Sequence, residues 1–292
     1  MIIASLNSGL GNQMFQYAAA KALAERHHTE LKLDLSWFQT HSYRKYQLNH
    51  FNITAKAVTG SELQKFTGKY RLFPQRLLWY ITGMNRHYRY FREASFDFDS
   101  GWLDCGPDTI IDGYWQSEQY FCEIAGTIVQ EFSVASPLSE KSREMKTYIQ
   151  NTESVAVHIR RGDYVMSGIK ESVIHGPLES HFYDDALAII ARKTRSPHLF
   201  IFSDDIPWVK ENLRFDFPAR YVDHNDESSG FEDLHLMSEC RHNIIANSTF
   251  SWWGAWLNRN PSKIVIAPKQ WFPDPKMNKL TSDLIPDSWV RL

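Results

Sequence analysis

The sequence predicts an α/β fold with mainly parallel sheets, and three observations support this prediction. Short apolar strands alternate with helical stretches along most of the chain, which is the pattern of a doubly wound sheet. Polar loops follow several strands, where open α/β sheets bind their ligands. The 292 residues, of which 43% are hydrophobic, suffice for two α/β units with proper cores. We therefore expect two domains, 1–150 and 151–292, with a charged helix at about 139–150 near their junction.

The beginning of the chain has the pattern of a strand, a glycine turn and a helix. Residues 2–6 form a short apolar run, and a helical stripe starts at Met14. Asn12 is placed to cap this helix, whose first N–H groups would be available to a polar ligand. Gly9 and Gly11 supply only the first half of a GxGxxG nucleotide fingerprint. A tight, capped turn therefore explains this segment equally well.

The remainder of the first half is less regular. We expect a second strand at 30–35 and an aromatic, loop-like region at 36–52. Residues 109–116 are expected to form a strand and then a loop, which leads into a helix at 117–131. This loop combines Asp112 with Tyr, Trp and Gln side chains, as sugar sites do, although neighbouring aromatic residues also serve as ordinary core.

The second half repeats the alternation of strand and helix more clearly. Strands are expected at 154–160, 198–202, 220–222, 243–246 and 263–267, and helices at about 180–193, 206–214, 230–240 and 250–258. Such regular alternation predicts a parallel sheet whose ligand loops follow its strands.

The strand at 154–160 ends in a cluster of charge. Because strand side chains alternate between faces, His158 and Arg160 point the same way. Arg160 and Arg161 suggest an anionic ligand, since a guanidinium binds phosphate with two parallel N–H groups. The alternative is a structural ion pair between Arg161 and Asp163, beside the turn that Gly162 permits.

Two further loops carry candidate ligand groups. Asp204 and Asp205 follow the strand at 198–202 and could accept hydrogen bonds from the guanine of a nucleotide, whereas Ser203 or Asp204 could instead simply cap the next helix. Asn247 begins a loop with serine and threonine hydroxyls at a helix start, which suits a phosphate group. Gly254 in that helix should allow close packing.

Composition and charge argue against several classes of protein. The net charge of −2 argues against nucleic-acid binding, so any anion site must be local. The three cysteines, Cys105, Cys122 and Cys240, lack metal-ligand spacing and indicate a reducing compartment. Neither a secretory leader nor an apolar run of about 18 residues is visible. We therefore expect a cytoplasmic protein. Asp97 and Asp99 match an Asp-x-Asp metal pattern, which we interpret as coincidence.

The segment 65–92 is basic and aromatic and contains no Asp or Glu. Its cations are Lys65, Lys69, Arg71, Arg76, Arg86, Arg89 and Arg92. A segment of this kind could rest on an anionic membrane surface. A solvated basic face over a core-facing aromatic stripe is the alternative interpretation.

Taken together, these motifs resemble the bacterial α-1,2-fucosyltransferases, a family of inverting glycosyltransferases. The resemblance covers nearly the whole chain, and its motifs occur in order. They are Gly-Leu-Gly-Asn-Gln-Met-Phe-Gln-Tyr at 9–17, Asp-Gly-Tyr-Trp-Gln at 112–116, His-Ile-Arg-Arg-Gly-Asp-Tyr at 158–164, Phe-Ser-Asp-Asp at 202–205, and the Ser, Thr and Trp-rich stretch 247–256. Several motifs in this order and spacing are specific, although each alone could occur by chance.

The resemblance implies two Rossmann-like domains in a GT-B-like fold and a role in O-antigen or other glycan biosynthesis. The C-terminal domain would bind GDP-β-L-fucose, and the N-terminal domain would bind a β-galactoside such as lactose or N-acetyllactosamine, with no metal or other cofactor. The catalytic candidates are Arg160, Asp112 and Asp163. The donor-binding candidates are His158, Arg160, Arg161, Asp204, Asp205, Asn247, Ser248, Thr249, Phe250, Ser251, Gly9, Gly11, Asn12 and Gln13.

The residues leave some alternatives open. Asp112, Asp163 and a phosphate oxygen of the donor are each candidates for the group that accepts the proton of the acceptor hydroxyl. An inactive sugar-binding module, a nucleotide-sugar-modifying enzyme or a fucosyltransferase of different linkage would share parts of this pattern. An inactive module has little need for two arginines at a strand end, and a modifying enzyme usually adds a redox or metal centre.

Overall fold

The computed structural model describes residues 1–41, 43–67, 90–161 and 177–292. These residues form two compact units, Met1–Ser133 and Val134–Leu292. The division therefore lies before the helix at 140–150, whereas the sequence suggested a boundary after residue 150. The physical reason is that this helix buries Ile149 in a core that belongs to the second unit.

The first unit is built around a parallel sheet of short strands. Its strands are β1 (Ile2–Ser5), β2 (Leu31–Asp34), β3 (Lys56–Ala57), β4 (Tyr90–Arg92) and β5 (Ile110–Asp112). Its α-helices are α1 (Leu10–Arg26), α2 (Ser36–Thr40), α3 (Gly60–Thr67) and α4 (Ala125–Glu131). The strand order is β3-β2-β1-β5-β4, and all described pairings are parallel. The carboxyl ends of these strands therefore lie along one edge of the sheet.

Helix α1 begins earlier than its apolar stripe predicts. Gly9 is the N-cap residue, so the helix includes Asn12 in its first turn, and the prediction that Asn12 caps the helix is wrong. The Asn12 side-chain oxygen instead accepts a hydrogen bond from Nε2 of Gln116, at 3.0 Å. Helix α1 is buried on nearly all sides, and the small alanine side chains in its middle allow this close packing. Because no side of the helix faces solvent, the sequence has no amphipathic pattern that marks where the helix starts.

Two other predicted segments of the first unit differ in detail. The region 36–52 contains α2 and a short 3-10 helix, Leu48–His50, and is therefore not simply a loop. The helix predicted at 117–131 is divided into two 3-10 turns followed by α4. Tyr120 and Phe121 are both buried at this break, so packing of these two rings takes precedence over a continuous helix.

The second unit contains a larger parallel sheet. Its strands are β6 (Glu153–Ile159), β7 (Pro197–Ser203), β8 (Ala219–Val222), β9 (His242–Ile244), β10 (Val265–Ala267) and β11 (Val290–Arg291). Its α-helices are α5 (Glu140–Gln150), α6 (Ser180–Ala191), α7 (Ile206–Asn212), α8 (Gly230–Glu239), α9 (Thr249–Trp256) and α10 (Pro275–Lys279). The order is β11-β10-β9-β6-β7-β8, and all described pairings are parallel. Two parallel-sheet α/β units, as predicted from the sequence, are thus confirmed.

Strand β6 lies in the middle of this sheet and is covered on both faces. Val155, Val157 and Ile159 pack into one apolar cluster with helices α6 and α7, while Ala156 packs into another with α5 and α8. This confirms the predicted alternation of faces along the strand. The chain proceeds from β6 through β7 to β8 and then crosses to β9 on the other side of β6. The gap between β6 and β9 is therefore the topological switch point, where doubly wound sheets bind ligands.

None of the helices in the described ranges is both long enough and apolar enough to span a bilayer. Most of the basic segment 65–92 lies outside the described residues. The hypothesis that it contacts a membrane surface therefore stays a prediction.

Candidate functional site

The carboxyl edge of the second sheet brings two of the predicted loops together. Strands β6 and β7 are paired in register up to Ile159 and Ser203. Arg160 and Arg161 follow the first strand, and Asp204 and Asp205 follow the second. The four charged residues therefore lie together at the carboxyl ends of β6 and β7, and the two arginines that follow β6 border the switch point.

Asp204 holds the beginning of the arginine loop. Its Oδ2 lies 3.1 Å from Nη1 of Arg160, and its Oδ1 accepts a hydrogen bond of 2.9 Å from the backbone N–H of Arg161. One carboxylate thus fixes both the guanidinium and the main chain that carries it. This placement orients Arg160, a role that the sequence did not assign to Asp204. Its predicted role in binding the donor stays a prediction.

Arg161 is used differently from Arg160. Its guanidinium lies 3.6 Å from the ring centre of Trp208, and its Nε lies 3.7 Å from Oδ2 of Asp205. Asp205 also caps α7, since its side chain accepts from the N–H of Trp208 at 3.2 Å. The described partners of the Arg161 side chain thus come from the start of α7 and its cap. The alternative pairing with Asp163 falls outside the described residues, as does the predicted catalytic role of Asp163.

His158 is buried beneath this edge. Burial and the neighbouring Arg160 charge lower the pKa of His158 to about 3, so the ring is neutral at physiological pH. Its centre lies 5.8 Å from that of Phe250, and its Nδ1 has no hydrogen-bond partner among the described residues. A neutral ring with an unused nitrogen can form a hydrogen bond with a ligand but cannot contribute a positive charge.

The stretch 247–251, which ends the connection after β9 and begins α9, is anchored by backbone contacts. Nδ2 of Asn247 donates to the Trp271 carbonyl oxygen at 3.1 Å, and Ser251 Oγ donates to the Ser248 carbonyl oxygen at 3.3 Å. Ser248 is the N-cap residue of α9, but its hydroxyl makes no capping hydrogen bond. Thr249 and Phe250 begin the helix and are half-buried. Hydroxyl groups of this kind at a helix start suit an anionic ligand.

The first unit presents a second group of polar residues at the carboxyl edge of its own sheet. Asp112 ends β5 and is paired in register with Arg92 on β4. Its Oδ2 accepts a hydrogen bond from the Tyr90 hydroxyl and lies 3.5 Å from Nε of Arg92. This carboxylate is half-buried and already oriented, which suits a group that must accept a proton.

The glycine turn at residues 7–13 serves the fold of the first unit. Gln13 is fully buried, and its Nε2 donates to the carbonyl oxygens of Ser8 and Lys45 at 3.0 and 2.9 Å. Its Oε1 accepts from the N–H of Gln47 at 3.0 Å. The Gln13 side chain is therefore occupied by backbone partners, as Asn12 is by Gln116. Gly9 precedes α1 as its cap, and Gly11 is buried in its first turn. The predicted donor contacts of these residues stay predictions.

The Asp-x-Asp pattern at 97–99 has a local structural use. Asp99 Oδ1 accepts the N–H of Gly101 at 2.9 Å and caps a 3-10 helix, Ser100–Asp104. Across residues 1–41, 43–67, 90–161 and 177–292, no group of three or more His, Cys, Asp or Glu side chains is arranged to hold a metal ion.

Sequence reasoning missed two residues that shape these edges. Trp208 covers the guanidinium of Arg161, and Glu93 binds the loop that follows Asp112. Glu93 is the first acidic residue after the basic segment, which is the one sequence signal that could have drawn attention to it. For Trp208 the sequence gives no comparable signal, because a tryptophan in a helix is ordinary core material.

Comparisons with known proteins agree with the motifs. The family model for glycosyl transferase family 11 matches residues 1–292. The O-antigen biosynthesis glycosyltransferase WbnK of Escherichia coli is 35% identical over 98% of this chain and 99% of its own length. The alpha-1,2-colitosyltransferase of Escherichia coli is 32% identical over 100% of this chain and 99% of its own length.

A solved structure supports the fold. A mutant of FUT1 from Arabidopsis thaliana, in complex with GDP, matches 91% of this chain and 70% of its own with a TM-score of 0.50 and 9% identity. At this identity the likeness concerns the fold alone, and it agrees with the predicted GT-B-like class of two parallel-sheet α/β domains. Because the family model and two relatives above 30% identity each cover almost the whole chain, the protein belongs to glycosyltransferase family 11.

Proposed function

We propose that this glycosyltransferase moves L-fucose from GDP-β-L-fucose to the 2-hydroxyl of a terminal β-galactoside, with inversion at the sugar carbon. The observation that carries the proposal is Arg160, which Asp204 holds at 3.1 Å beside the switch point of the second sheet. The family membership supplies the reaction class. The order of the motifs, which resembles the α-1,2-fucosyltransferases, supplies the donor and the linkage.

The main catalytic demand in this reaction is the charge that develops on the leaving GDP. In a direct displacement, the bond from the fucose carbon to the phosphate oxygen breaks ahead of attack, and the phosphate takes the electron pair. The guanidinium of Arg160 and the start of α9, with Ser248 and Thr249, would stabilise that charge. One oriented donor of this kind typically contributes about 2.7 to 4 kcal/mol in the transition state.

The acceptor hydroxyl must lose its proton as the new bond forms. We assign this step to Asp112 in preference to the other candidates, because its carboxylate is half-buried and oriented by Tyr90 and Arg92. The first unit would then bind the galactoside and the second unit the donor. In this assignment Asp112 takes the proton, the 2-oxygen bonds to the fucose carbon, and GDP leaves with the electrons of the broken bond.

The proposal is tested by incubating the protein with GDP-fucose and lactose or N-acetyllactosamine. We expect GDP release that depends on the acceptor and a product whose fucose is α-1,2-linked, as read by NMR. An inactive sugar-binding module would bind GDP-fucose but release no GDP. A fucosyltransferase of different linkage would give a different product spectrum.

A second candidate donor is suggested by the colitosyltransferase relative, which is 32% identical along this chain. Colitose is L-fucose without its 3-hydroxyl group, so the two donors demand nearly the same site. A competition between GDP-fucose and GDP-colitose, with kcat/KM for each, separates the candidates. A site that hydrogen-bonds the 3-hydroxyl discriminates strongly against the analogue that lacks it.

We expect transfer to be independent of divalent metal ions, because Arg160 and the α9 start would supply the positive field that a metal supplies elsewhere. Activity should remain within the error of the assay after treatment with excess EDTA. Complete loss of activity that Mn²⁺ restores would contradict this expectation and would make Asp97 and Asp99 candidate metal ligands.

We also expect weak, salt-sensitive binding to anionic vesicles through the basic segment 65–92. Each engaged cation contributes on the order of 1 kcal/mol close to such a surface. Cosedimentation with anionic and neutral vesicles at low and high salt measures this, with turnover of a soluble disaccharide as the control. Unchanged binding after Arg71, Arg76, Arg86 and Arg89 are all replaced by serine would contradict the prediction.

A further inference from the structure

The loop after β5 contains a backbone conformation that needs support. Trp115 has a φ of 57°, in the left-handed region that large side chains rarely adopt. Its side chain is nevertheless buried, with its ring centre 5.9 Å from Phe91 and 5.2 Å from Tyr120. Buried packing fixes the ring, but the peptide groups around it need hydrogen-bond partners of their own.

Glu93 supplies those partners. Its Oε2 accepts a hydrogen bond of 2.6 Å from the N–H of Tyr114, and its Oε1 accepts one of 2.9 Å from the N–H of Trp115. The N–H of Glu93 itself donates to the carbonyl oxygen of Asp112 at 3.0 Å. One residue at the end of β4 therefore binds both the last residue of β5 and the two residues at the strained position.

Gly113 shows how closely the two segments approach. A Cβ atom added there would lie 2.4 Å from Cβ of Glu93 and 2.8 Å from its Oε2, which is closer than atoms can pack. Only glycine lets the loop approach near enough for the Glu93 carboxylate to reach both amides. The Gly113 carbonyl oxygen also accepts from Nε2 of Gln16 at 3.2 Å, which ties the same point to α1.

Asp112 is thus held from β4 in two ways. Its carboxylate contacts Tyr90 and Arg92, which lie on that strand, and its main chain is bound by Glu93 directly after the strand. The side chain of Glu93 faces the loop amides, so it does not compete with Asp112 for the space in front of the sheet edge.

We propose that Glu93 is a positioning residue that holds the loop 112–116 in the conformation in which Asp112 accepts the proton of the sugar hydroxyl. The inference rests on the proposed function, since it concerns the same acceptor edge. Glu93 touches neither substrate in this scheme. It acts through the peptide groups of Tyr114 and Trp115.

The charges around Glu93 give the proposal a pH dependence. Burial raises the pKa of Glu93 to about 7, and the nearby Asp99 and Asp112 add to this, while the two loop N–H groups oppose it. Among the described residues, Arg92 on β4 also lies at this edge and pairs with Asp112. Because the raised pKa favours the neutral form, the contribution of Glu93 to stability is complete below its ordinary pKa and is lost as pH rises through about 7. The position of the loop has the opposite dependence on pH: above about pH 7 both oxygens of the ionised carboxylate accept the loop N–H groups, so residues 112–116 are held best there although the buried charge lowers the free energy of unfolding.

The test compares wild type with Glu93→Gln, which keeps the shape but turns an NH₂ group toward one of the loop amides. Hydrogen exchange of the peptide covering residues 110–117 should become faster in the variant. Transfer to lactose should fall in kcat by on the order of 10²-fold, the scale expected for a small misplacement of a catalytic group. The KM for GDP-fucose and the slow hydrolysis of GDP-fucose without acceptor should not change. We expect wild-type transfer to slow as the pH falls below about 7, where Glu93 becomes protonated, and this decrease should be absent in the variant.

The matched control is Glu62→Gln. Glu62 also accepts a backbone N–H, from Thr59 at 2.8 Å, but it follows β3 at the opposite edge of the sheet. The Glu62→Gln variant should leave both the kcat of fucose transfer and the hydrogen exchange of residues 110–117 unchanged. Should Glu93→Gln fail to fold, Glu93→Asp provides the second variant, since it keeps the charge but its shorter side chain cannot reach both loop N–H groups, and it should give faster exchange of 110–117 and a lower kcat.

Two results would overturn the proposal. One is unchanged exchange of 110–117 in Glu93→Gln, and the other is wild-type transfer with an unaltered pH profile. If the wild-type protein transfers no fucose at all, the proposed function fails. The exchange measurement then still decides whether Glu93 holds the loop.

Discussion

Replacement of Arg160 by alanine should lower the rate of fucose transfer by about 10²- to 10³-fold or more, the effect of removing one oriented donor from a developing charge. GDP should also bind more weakly, because the leaving phosphate loses its guanidinium. Lysine should not restore activity, since one ammonium cannot reproduce two parallel N–H groups. Initial rates with GDP-fucose and lactose, together with calorimetric titration of GDP, measure both effects.

Arg220→Ala is the matched control for this variant. Arg220 lies on β8, is exposed, and has its guanidinium carbon 3.8 Å from the ring centre of Tyr148. Its replacement by alanine removes the same atoms as Arg160→Ala but leaves the switch point unchanged. It should retain wild-type kinetics. Near-normal turnover by Arg160→Lys would show that the phosphate contact is a simple point charge and that the bidentate role is wrong.

Replacement of Gly254 by alanine should destabilise the second unit by about 1 to 3 kcal/mol, the usual cost of overpacking. The added Cβ would lie 2.8 Å from Cβ and 3.1 Å from Sδ of Met237 on α8, and the Cβ of Met237 cannot move unless its helix moves. Helix α9 should therefore shift, and with it the hydroxyl groups of Ser248 and Thr249, so GDP affinity should fall as well. Urea unfolding followed by tryptophan fluorescence measures the change in the free energy of unfolding.

The control for Gly254→Ala is Gly126→Ala. Gly126 also lies in a helix, α4, but an added Cβ would meet nothing within 4 Å. Alanine is the better helix former, so this variant should be neutral or more stable by about 0.5 to 1 kcal/mol. An unchanged unfolding midpoint for Gly254→Ala would mean that α8 and α9 separate easily, and the expected loss of stability would be wrong.

The features that the sequence predicted well depend on local periodicity. The faces of β6 could be assigned because its side chains alternate between two buried surfaces. The loops after the strands could be placed at one edge because parallel strands all end there. The start of α1 was misplaced because a helix that is buried all round has no amphipathic pattern to mark its first turn.

The roles of single residues at the sites depend on contacts that are remote in sequence. Asp204 binds a backbone group 43 residues away, and Glu93 binds amides 21 and 22 residues away. Spacing can place such residues near a sheet edge, but it cannot show which polar group faces which. The sequence offered Ser203 and Asp204 as caps of the next helix, and both suggestions are wrong, because Asp205 caps α7 while Asp204 binds Arg160 and the N–H of Arg161.

The amide of Gln13 has a consequence for protein engineering. This one side chain joins the turn at Ser8 to the segment that contains Lys45 and Gln47, and α2 with its stacked Trp37 and His41 rings lies just before that segment. These hydrogen bonds use only main-chain atoms of Ser8, Lys45 and Gln47, so they do not depend on the side chains at these positions. Variants of residues 36–41 and 43–46 that conserve Gln13 should therefore retain the attachment of this segment, so its side chains can be exchanged in numbers without loss of the fold of the first unit.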